Sequence, residues 1–367
     1  MFEQDRLLEN LIQNRNNNFN AIRFICASLV IYSHAYPLTG HAEETNFLYK
    51  IMNWFFSLGS LSVAIFFIIS GIFITKSYCE SKSNLLYVKA RLLRIFPALI
   101  LLVLLTIFIL GPLVSSLGYH TYFHDKNTYL YLKNIYLSIN YTLPGVFYDN
   151  PYPVAVNGSL WSIPTEFRCY IGVLIVGMLK FFNDKKKVAF IFLMGILAVY
   201  IYPLLFHKFK DFLITDRKMF IYFSFGMMIY IFRKYIYINF LFFLLSVIML
   251  LLCFQFAQNQ VFITLFLTYI VVFVATNPKL KFLSFTRRND YSYGIYLYAF
   301  PIQQTITYIF NGIISQFLNF IIAGMVTFSM AFLSWHLVEK KCISLKNKSI
   351  KQIFSKQNET DVSTVNN

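Results

Sequence analysis

The sequence predicts an all-α protein, a polytopic integral membrane bundle of about ten transmembrane helices. Hydrophobic residues make up 57% of the 367 residues, charged residues make up only 13%, and apolar runs are long enough to cross a bilayer. Soluble domains carry roughly 25% charged residues, so this composition excludes a soluble domain as well as a disordered chain. Transmembrane β-barrels show short alternating strands, which these long apolar runs do not resemble.

Ten segments have the apolar character and the length, about 20 residues, of membrane-spanning helices. The sixth is short, and Pro301 is expected to interrupt the ninth. The predicted spans are residues 20–38, 54–75, 95–114, 162–182, 187–206, 218–232, 236–254, 260–276, 291–310 and 315–338.

The predicted spans divide the chain into three parts. Residues 1–19 form a polar, Asn-rich tail, residues 20–341 form the transmembrane domain, and residues 342–367 form a second polar tail. The first apolar segment follows the N-terminal tail without a small-residue cleavage site. No cleavable signal peptide is therefore predicted.

The distribution of charge predicts the orientation of the helices. The chain has 32 Lys and Arg against 16 Asp and Glu, a net charge of +16. With the N-terminus inside, 23 basic residues fall on the cytoplasmic side and 7 on the outer side, which predicts N-in and C-in. Most of the basic charge is then a set of topology anchors facing anionic lipid, and no nucleic-acid partner is expected. The five scattered cysteines show no metal-ligand spacing, so no metal is expected.

Ionisable side chains within predicted spans are costly and usually functional. Arg23 and His34 lie in the first span, and Glu166 and Arg168 lie in the fourth. An eleven-residue spacing comes within about 20° of three helical turns, so Arg23 and His34 share a face, about 16 Å apart. His34 and Glu166 are expected at similar depth, the arrangement of a base and its orienting carboxylate.

Other interpretations of these residues remain open at this point. His34 can be an interfacial polar residue, Arg23 can extend to the inner headgroups, and Glu166 can be a structural partner of Arg168. The same buried charges also suit a secondary transporter or glycan exporter, which predicts two related halves with paired broken helices. The sequence shows no such repeat, and a scaffold protein has little reason to bury Arg, His and Glu.

Six short motifs follow one another over residues 19–341. They are FNAIRFICASLVIYSHA in the first span, FFIISGIFIT at 66–75, ARLLRIFPAL at 90–99, SLWSIPTEF at 159–167, YSYGIYLYAFPI at 291–302 and SWHLVEKK at 334–341. In this order they resemble the motifs of the membrane acyltransferase-3 family, whose signature is an Arg, ten residues and a His. Two positions depart from it: Ala299 stands where the family often has His, and Lys341 where it often has Pro.

The resemblance implies a membrane O-acyltransferase of the stand-alone type in the bacterial cytoplasmic (inner) membrane. Such an enzyme transfers an acyl group, usually acetyl, from acetyl-CoA to a hydroxyl of a cell-surface or lipid-linked carbohydrate. Because Ala299 stands where the family often has His, the resemblance implies that a His in the ninth span is dispensable or that the acceptor differs.

The resemblance also implies roles for the charged residues. His34 would be the general base, or less favourably an acetyl-carrying nucleophile, with Glu166 orienting its imidazole. Arg23 would hold the donor arm or polarise the thioester. Arg91 and Arg94, three residues apart on one helix face, would bind the phosphates of acetyl-CoA, although either can be a plain cytoplasmic anchor. Eight tyrosines in the outer loop 115–160 are candidates for stacking on the sugar.

Overall fold

A computed structural model describes residues 6–13, 17–42, 47–53, 55–153, 155–205, 214–278, 280, 283–287 and 289–347. Parts of both predicted tails, residues 1–5, 14–16 and 348–367, lie outside the described residues. The same is true of Lys208 and Lys210, which were assigned to the outer side.

Ten long helices, here named α1 to α10, follow the ten apolar segments in order. They are α1 Phe19–Leu38, α2 Leu58–Cys79, α3 Asn84–Val114, α4 Ser162–Met178, α5 Lys185–Leu205, α6 Ile214–Ile231, α7 Phe240–Ala257, α8 Gln260–Thr276, α9 Ser292–Ile309 and α10 Gln316–Ser344. Within the described residues, five of them (α1, α2, α3, α7 and α10) are long and apolar enough to cross a membrane. The protein is therefore a helical membrane protein.

Short elements connect the long helices. Strand β1, Arg6–Leu7, pairs antiparallel with strand β2, Tyr237–Ile238, and ties the N-terminal segment to the loop before α7. The remaining short helices are Leu8–Gln13, Phe47–Ile51, Tyr119–His124 and Lys126–Leu130, and the 3₁₀ turns are Tyr131–Tyr136, Gly158–Trp161, Phe181–Asn183, Ser284–Thr286 and Leu345–Asn347.

Helix α3 begins well before the predicted start of the third span at residue 95. The Ser83 side chain accepts a hydrogen bond from the Leu86 N–H and so caps a helix that begins at Asn84. Apolar runs mark the membrane-embedded part of a helix and miss a polar first turn. Arg91 and Arg94 consequently lie on a rigid helix rather than in a loop.

The predicted interruption at Pro301 is wrong, because α9 is helical on both sides of this residue. A proline inside a helix lacks the N–H that would bond to the carbonyl four residues earlier, here that of Leu297. The Asn157 side-chain amide donates to that carbonyl at 2.9 Å. A side chain from the segment before α4 thus satisfies the freed group, as a buried backbone carbonyl requires.

Close packing of α2 places the wall of the site. Gly71 of α2 lies against the Phe223 carbonyl of α6, and Gly226 of α6 lies against the Ile68 carbonyl, so any side chain at either glycine would clash. Small residues allow such close helix contacts in membranes. On its other sides α2 packs against α1 and α4, while α1 also packs against α9 and α10. Six helices, α1 to α4 with α9 and α10, therefore surround a common interior.

Candidate functional site

A cavity of about 380 Å³ lies between these six helices. Small-molecule sites in proteins usually have volumes of roughly 300–1,000 Å³ and a few convergent polar groups. Its charged lining residues are Arg23, Arg91, Arg94, Glu166, Asp290 and Lys346. Four of the five residues predicted from the sequence therefore lie around one cavity, and His34 is outside its lining.

Asp290, in the segment just before α9, joins two of the predicted arginines. Its Oδ2 accepts from Arg23 at 2.5 Å and from Arg94 at 2.6 Å. Its Oδ1 accepts from the Ser292 hydroxyl at 2.5 Å. Burial raises the pKa of the Asp290 carboxyl, but the two arginines and Ser292 outweigh it, so the pKa lies below its ordinary value. Asp290 is therefore an anion fixed between helices α1 and α3.

Glu339 provides a second acidic partner for Arg94. It is only 1% exposed, lies 3.5 Å from Arg94 Nη1 through Oε2, and accepts from the Ser334 hydroxyl at 3.0 Å through Oε1. A π-turn at Trp335–Glu339 in α10 changes the register of the helix at this point, and such turns are frequent at functional sites. We call Arg23, Arg94, Asp290 and Glu339 the paired cluster, because two arginines face two carboxylates.

Arg91 lies in the same cavity, but its surroundings differ from those of Arg94. Its Nη2 donates to the Ser77 hydroxyl at 3.3 Å, and its guanidinium lies over the rings of Tyr87 and Tyr170 at 5.9 and 5.7 Å. Its buried Nε has no hydrogen-bond partner, and no acidic side chain in the described part of the chain forms an ion pair with it. Arg91 therefore has no ion-pair partner among the described residues, unlike Arg94.

Glu166 faces the cavity from the first turns of α4. Its Oε1 accepts from the Tyr170 hydroxyl at 2.6 Å and from the Ser70 hydroxyl at 3.2 Å. The neighbouring Arg168 points elsewhere and pairs with Asp216 of α6 at 2.7 Å. Glu166 is thus not the structural partner of Arg168, and its contacts are with residues of α2 and α4.

His34 lies further along α1 than the cavity. Its ring meets Phe300 of α9 edge to face, with centroids 5.2 Å apart, and its buried Nδ1 has no hydrogen-bond partner. The preceding residue, Ser33, packs against Gly59 of α2, whereas the cavity reaches Val63 of α2. Four residues of helix are about 6 Å, so His34 lies roughly one turn beyond the cavity.

Among the described residues no hydrogen bond joins His34 to Glu166. The structure therefore brings Arg23, Arg91, Arg94 and Glu166 together and leaves His34 just beyond them. The roles predicted for these side chains in catalysis stay predictions.

The tyrosines of the outer loop do not form one surface. Tyr122 and Tyr131 are completely buried, and the Tyr122 hydroxyl donates to the Ile107 carbonyl of α3. Tyr119, Tyr129, Tyr136 and Tyr148 are exposed. Part of this set belongs to the packing of the loop on α3, which leaves a smaller group for contacts with any acceptor.

Asp290 and Glu339 escaped prediction from the sequence. Glu339 is part of the motif SWHLVEKK, and Asp290 immediately precedes the motif YSYGIYLYAFPI. Their rarity could have identified them: the chain has only 16 acidic residues, and these two lie at the inner ends of predicted spans. An arginine within a span usually pairs with an acidic side chain or a backbone carbonyl.

Comparison with known proteins adds an independent finding. A family model described as "Acyltransferase domain" matches residues 16–337. The chain is 29% identical over 358 residues to an O-acetyl transferase of Shigella phage Sf6, which covers 90% of this chain and 97% of the phage protein. It is 28% identical over 370 residues to Nodulation protein 10 of Rhizobium leguminosarum bv. viciae, which covers 92% and 96% respectively. No solved structure is significantly similar to it.

Proposed function

Because this chain belongs to the acyltransferase-3 family, we propose that it transfers acetyl from cytoplasmic acetyl-CoA to a hydroxyl of a cell-surface or lipid-linked carbohydrate. Membership confirms the resemblance carried by the six motifs. The protein is an O-acyltransferase, and the name of the phage relative supports the prediction of an O-acetyltransferase. We further propose the identity of the donor, the class of the acceptor and the roles of individual residues.

The proposal includes ten membrane spans with both termini inside, in the bacterial cytoplasmic membrane. Ten long helices in the positions of the predicted spans support this number. The excess of basic residues on the side of the N-terminus supports the orientation. In this orientation Asn20, Ala90 and Lys346, which line the cavity, lie toward the cytoplasmic ends of their helices.

One observation carries the choice of donor: Arg23, Arg91 and Arg94 converge on a single cavity near its cytoplasmic end. Acetyl-CoA has a polyanionic nucleotide at one end and a thioester on a slim arm at the other. Guanidinium groups bind phosphate with charge-assisted hydrogen bonds, and Arg91 has no carboxylate partner among the described residues. We assign Arg91 as the principal phosphate contact, with Arg94 and Arg23 as the neighbouring cations.

The chemical step is acyl transfer to a hydroxyl. His34 accepts the proton of the acceptor hydroxyl while that oxygen attacks the thioester carbonyl carbon. The carbon–sulfur bond then breaks, the acetyl ester is formed, and the thiolate of CoA takes up the proton from His34. The orphaned Nδ1 of His34 leaves a ring nitrogen uncommitted to the fold, as a base requires. Arg23 lies on the same face of α1, about 16 Å nearer the cytoplasmic end, and holds the donor arm.

The position of His34 suits a reaction between substrates from opposite sides of the membrane. The cavity ends about one helical turn short of His34, so a thioester arm that projects from the cavity approaches the ring from the inner side. Phe300, which contacts His34, also touches Tyr152 of the outer loop. The acceptor would therefore approach from the loop side.

The substitution His34→Ala tests the proposed base. We expect it to abolish transfer of radiolabelled acetyl from acetyl-CoA to glycan by purified protein in lipid vesicles, a loss of about 10²-fold or more. Accumulation in the membrane and the thermal unfolding midpoint should stay close to those of the unsubstituted protein. The matched control is His124→Ala, at an exposed histidine of the helix Tyr119–His124, which should keep full activity. Full activity of His34→Ala would remove the base from the mechanism.

A further inference from the structure

We propose that Glu166, held in place by Ser70 and Tyr170, accepts a hydrogen bond from an amide N–H of the donor's pantetheine arm. This inference rests on the proposed function, in which acetyl-CoA is the acyl donor. It gives Glu166 a role in positioning the donor rather than in orienting His34.

The two carboxylate oxygens of Glu166 have different surroundings. Oε1 accepts from the hydroxyls of Tyr170 and Ser70, which fixes the plane of the carboxylate. Oε2 has no hydrogen bond within the described part of the chain, and Glu166 forms no ion pair there. Since an ionised carboxylate only accepts, Oε2 is an acceptor site that requires an N–H or O–H donor.

The surroundings of Glu166 favour a neutral donor. Arg168 of α4 is committed to Asp216, and the Arg94 guanidinium is committed to Asp290 and Glu339. Arg91 shares Tyr170 with Glu166 but forms no ion pair with it in the described part of the chain, and the proposed function assigns it to the donor phosphates. Glu166 is only partly buried and lines the cavity. A bound ligand that displaces water from Oε2 must therefore donate a hydrogen bond in its place, because a carboxylate oxygen that loses water without a new partner loses free energy. The pantetheine arm of CoA carries two secondary amides, whose N–H groups donate without bringing a charge into the membrane.

The position of Glu166 along the cavity, next to Arg91, places it beside the pantetheine arm rather than beside another part of the donor. Tyr170 contacts both residues: its ring lies 5.7 Å from the Arg91 guanidinium and its hydroxyl donates to Glu166. A donor whose phosphates lie at Arg91 therefore passes Glu166 with the segment that follows the phosphates. That segment is the pantetheine arm.

The alternative role, orientation of His34, finds no contact to support it. Glu166 hydrogen-bonds to residues of α2 and α4, whereas His34 contacts Phe300 of α9. A carboxylate that orients an imidazole must accept its N–H at hydrogen-bond distance. The Nδ1 of His34 is without any such partner.

Two fragments of the donor separate the role of Glu166 from that of Arg91. Pantetheine carries the amides and lacks the phosphates, whereas 3′-phospho-ADP carries phosphates and lacks the amides. Both are measured as competitive inhibitors against acetyl-CoA. Glu166→Gln should raise the inhibition constant of pantetheine about 10-fold, since a hydrogen bond to a charged group is lost, and leave that of 3′-phospho-ADP unchanged. Arg91→Ala should have the opposite pattern.

Glu80→Gln is the matched control for the glutamate, because Glu80 is largely exposed at the end of α2, and it should change neither constant. Glutamine at position 166 can still accept from Ser70 and Tyr170, so the protein should fold. Unchanged inhibition by pantetheine, or no inhibition of the unsubstituted protein by millimolar pantetheine, would overturn the inference. It would also be overturned by a fall in kcat with a shifted pH profile at constant KM, which indicates action through His34.

Glu166→Gln could instead raise the KM for the carbohydrate and leave the inhibition constant of pantetheine unchanged. That result would assign Glu166 to the acceptor and would also overturn the inference. The proposed function fails separately, if the unsubstituted protein does not transfer acetyl from acetyl-CoA at all.

Discussion

Two parts of one cavity wall differ in whether their arginines form ion pairs. In the paired cluster, Arg23 and Arg94 share Asp290, and Arg94 also meets the buried Glu339. One helical turn away on α3, Arg91 has only a hydroxyl and two aromatic rings as partners. A charge that the fold neutralises contributes first to holding helices together. A charge without an ion-pair partner among the described residues is available to a ligand.

This difference separates two residues that the sequence treated as equivalent. Arg91 and Arg94 belong to one motif, three residues apart, and both were predicted to bind the donor. Both line the cavity, but Arg94 is tied to α9 and α10 through Asp290 and Glu339. We therefore expect substitutions at Arg94 and Asp290 to act mainly on stability, and substitutions at Arg91 to act mainly on the affinity for the donor.

The largest expected effect follows removal of Asp290. Asp290→Ala leaves Arg23 and Arg94 without their shared carboxylate, and breaking a buried ion pair from one side costs about 3–5 kcal/mol. We expect a lower thermal unfolding midpoint in detergent and reduced accumulation in the membrane. Asp149→Ala, at an exposed turn of the outer loop, should leave both unchanged. Equal stability of the two variants would show that the cluster does not hold these helices together.

The next effect compares lysine at the two arginine positions. Arg94→Lys cannot reach Asp290 and Glu339 together or keep its planar contacts with Tyr293 and Trp335, so we expect a loss of about 1–3 kcal/mol in unfolding free energy. Arg91→Lys should lose less than about 1 kcal/mol, because no ion pair is broken. Denaturant or thermal unfolding of both variants in the same detergent measures the difference. Similar losses would contradict the division of the wall into paired and unpaired parts.

The clearest effect on binding, with a smaller effect on stability than at Asp290 or Arg94, is expected for Arg91→Ala. Loss of a guanidinium–phosphate contact should raise the KM for acetyl-CoA about 10-fold with little change in kcat. The KM of the unsubstituted enzyme should rise with salt, and this dependence should be weaker in the variant. Lys82→Ala, an exposed cation in the loop before α3, serves as the control and should behave as the unsubstituted protein. An unchanged KM in Arg91→Ala would contradict the assignment of Arg91 to the donor.

The sequence predicted the long helices well because long apolar helices are encoded locally. An apolar run of about 20 residues leaves few alternatives in a bilayer, so each of the ten segments corresponds to a long helix. The start of α3 was missed because a polar first turn carries no apolar signal, and continuity at Pro301 was missed because Asn157, far away in the sequence, satisfies the freed carbonyl. Helix ends and defects thus depend on contacts that a local pattern does not contain.

The sequence predicted most of the charged residues of the candidate site, but it did not predict which of them form ion pairs with one another. Rarity of charge within spans identified Arg23, His34 and Glu166, and the motifs added Arg91 and Arg94. The partners of these residues come from elsewhere in the chain: Asp290 is 267 residues from Arg23 and 196 from Arg94. Helical periodicity places residues on one face of one helix, and it contains no information on which helices pack together.

Transfer of label from acetyl-CoA tests the central claim most directly. Purified protein in lipid vesicles is supplied with acetyl-CoA labelled in the acetyl group on the side that exposes the N-terminus, and with cell-surface glycan on the other side. We predict covalent, alkali-labile label in the glycan and equimolar release of free CoA thiol. Label that crosses the membrane or accumulates in the vesicles without an ester in the glycan would contradict the account and indicate a transporter instead.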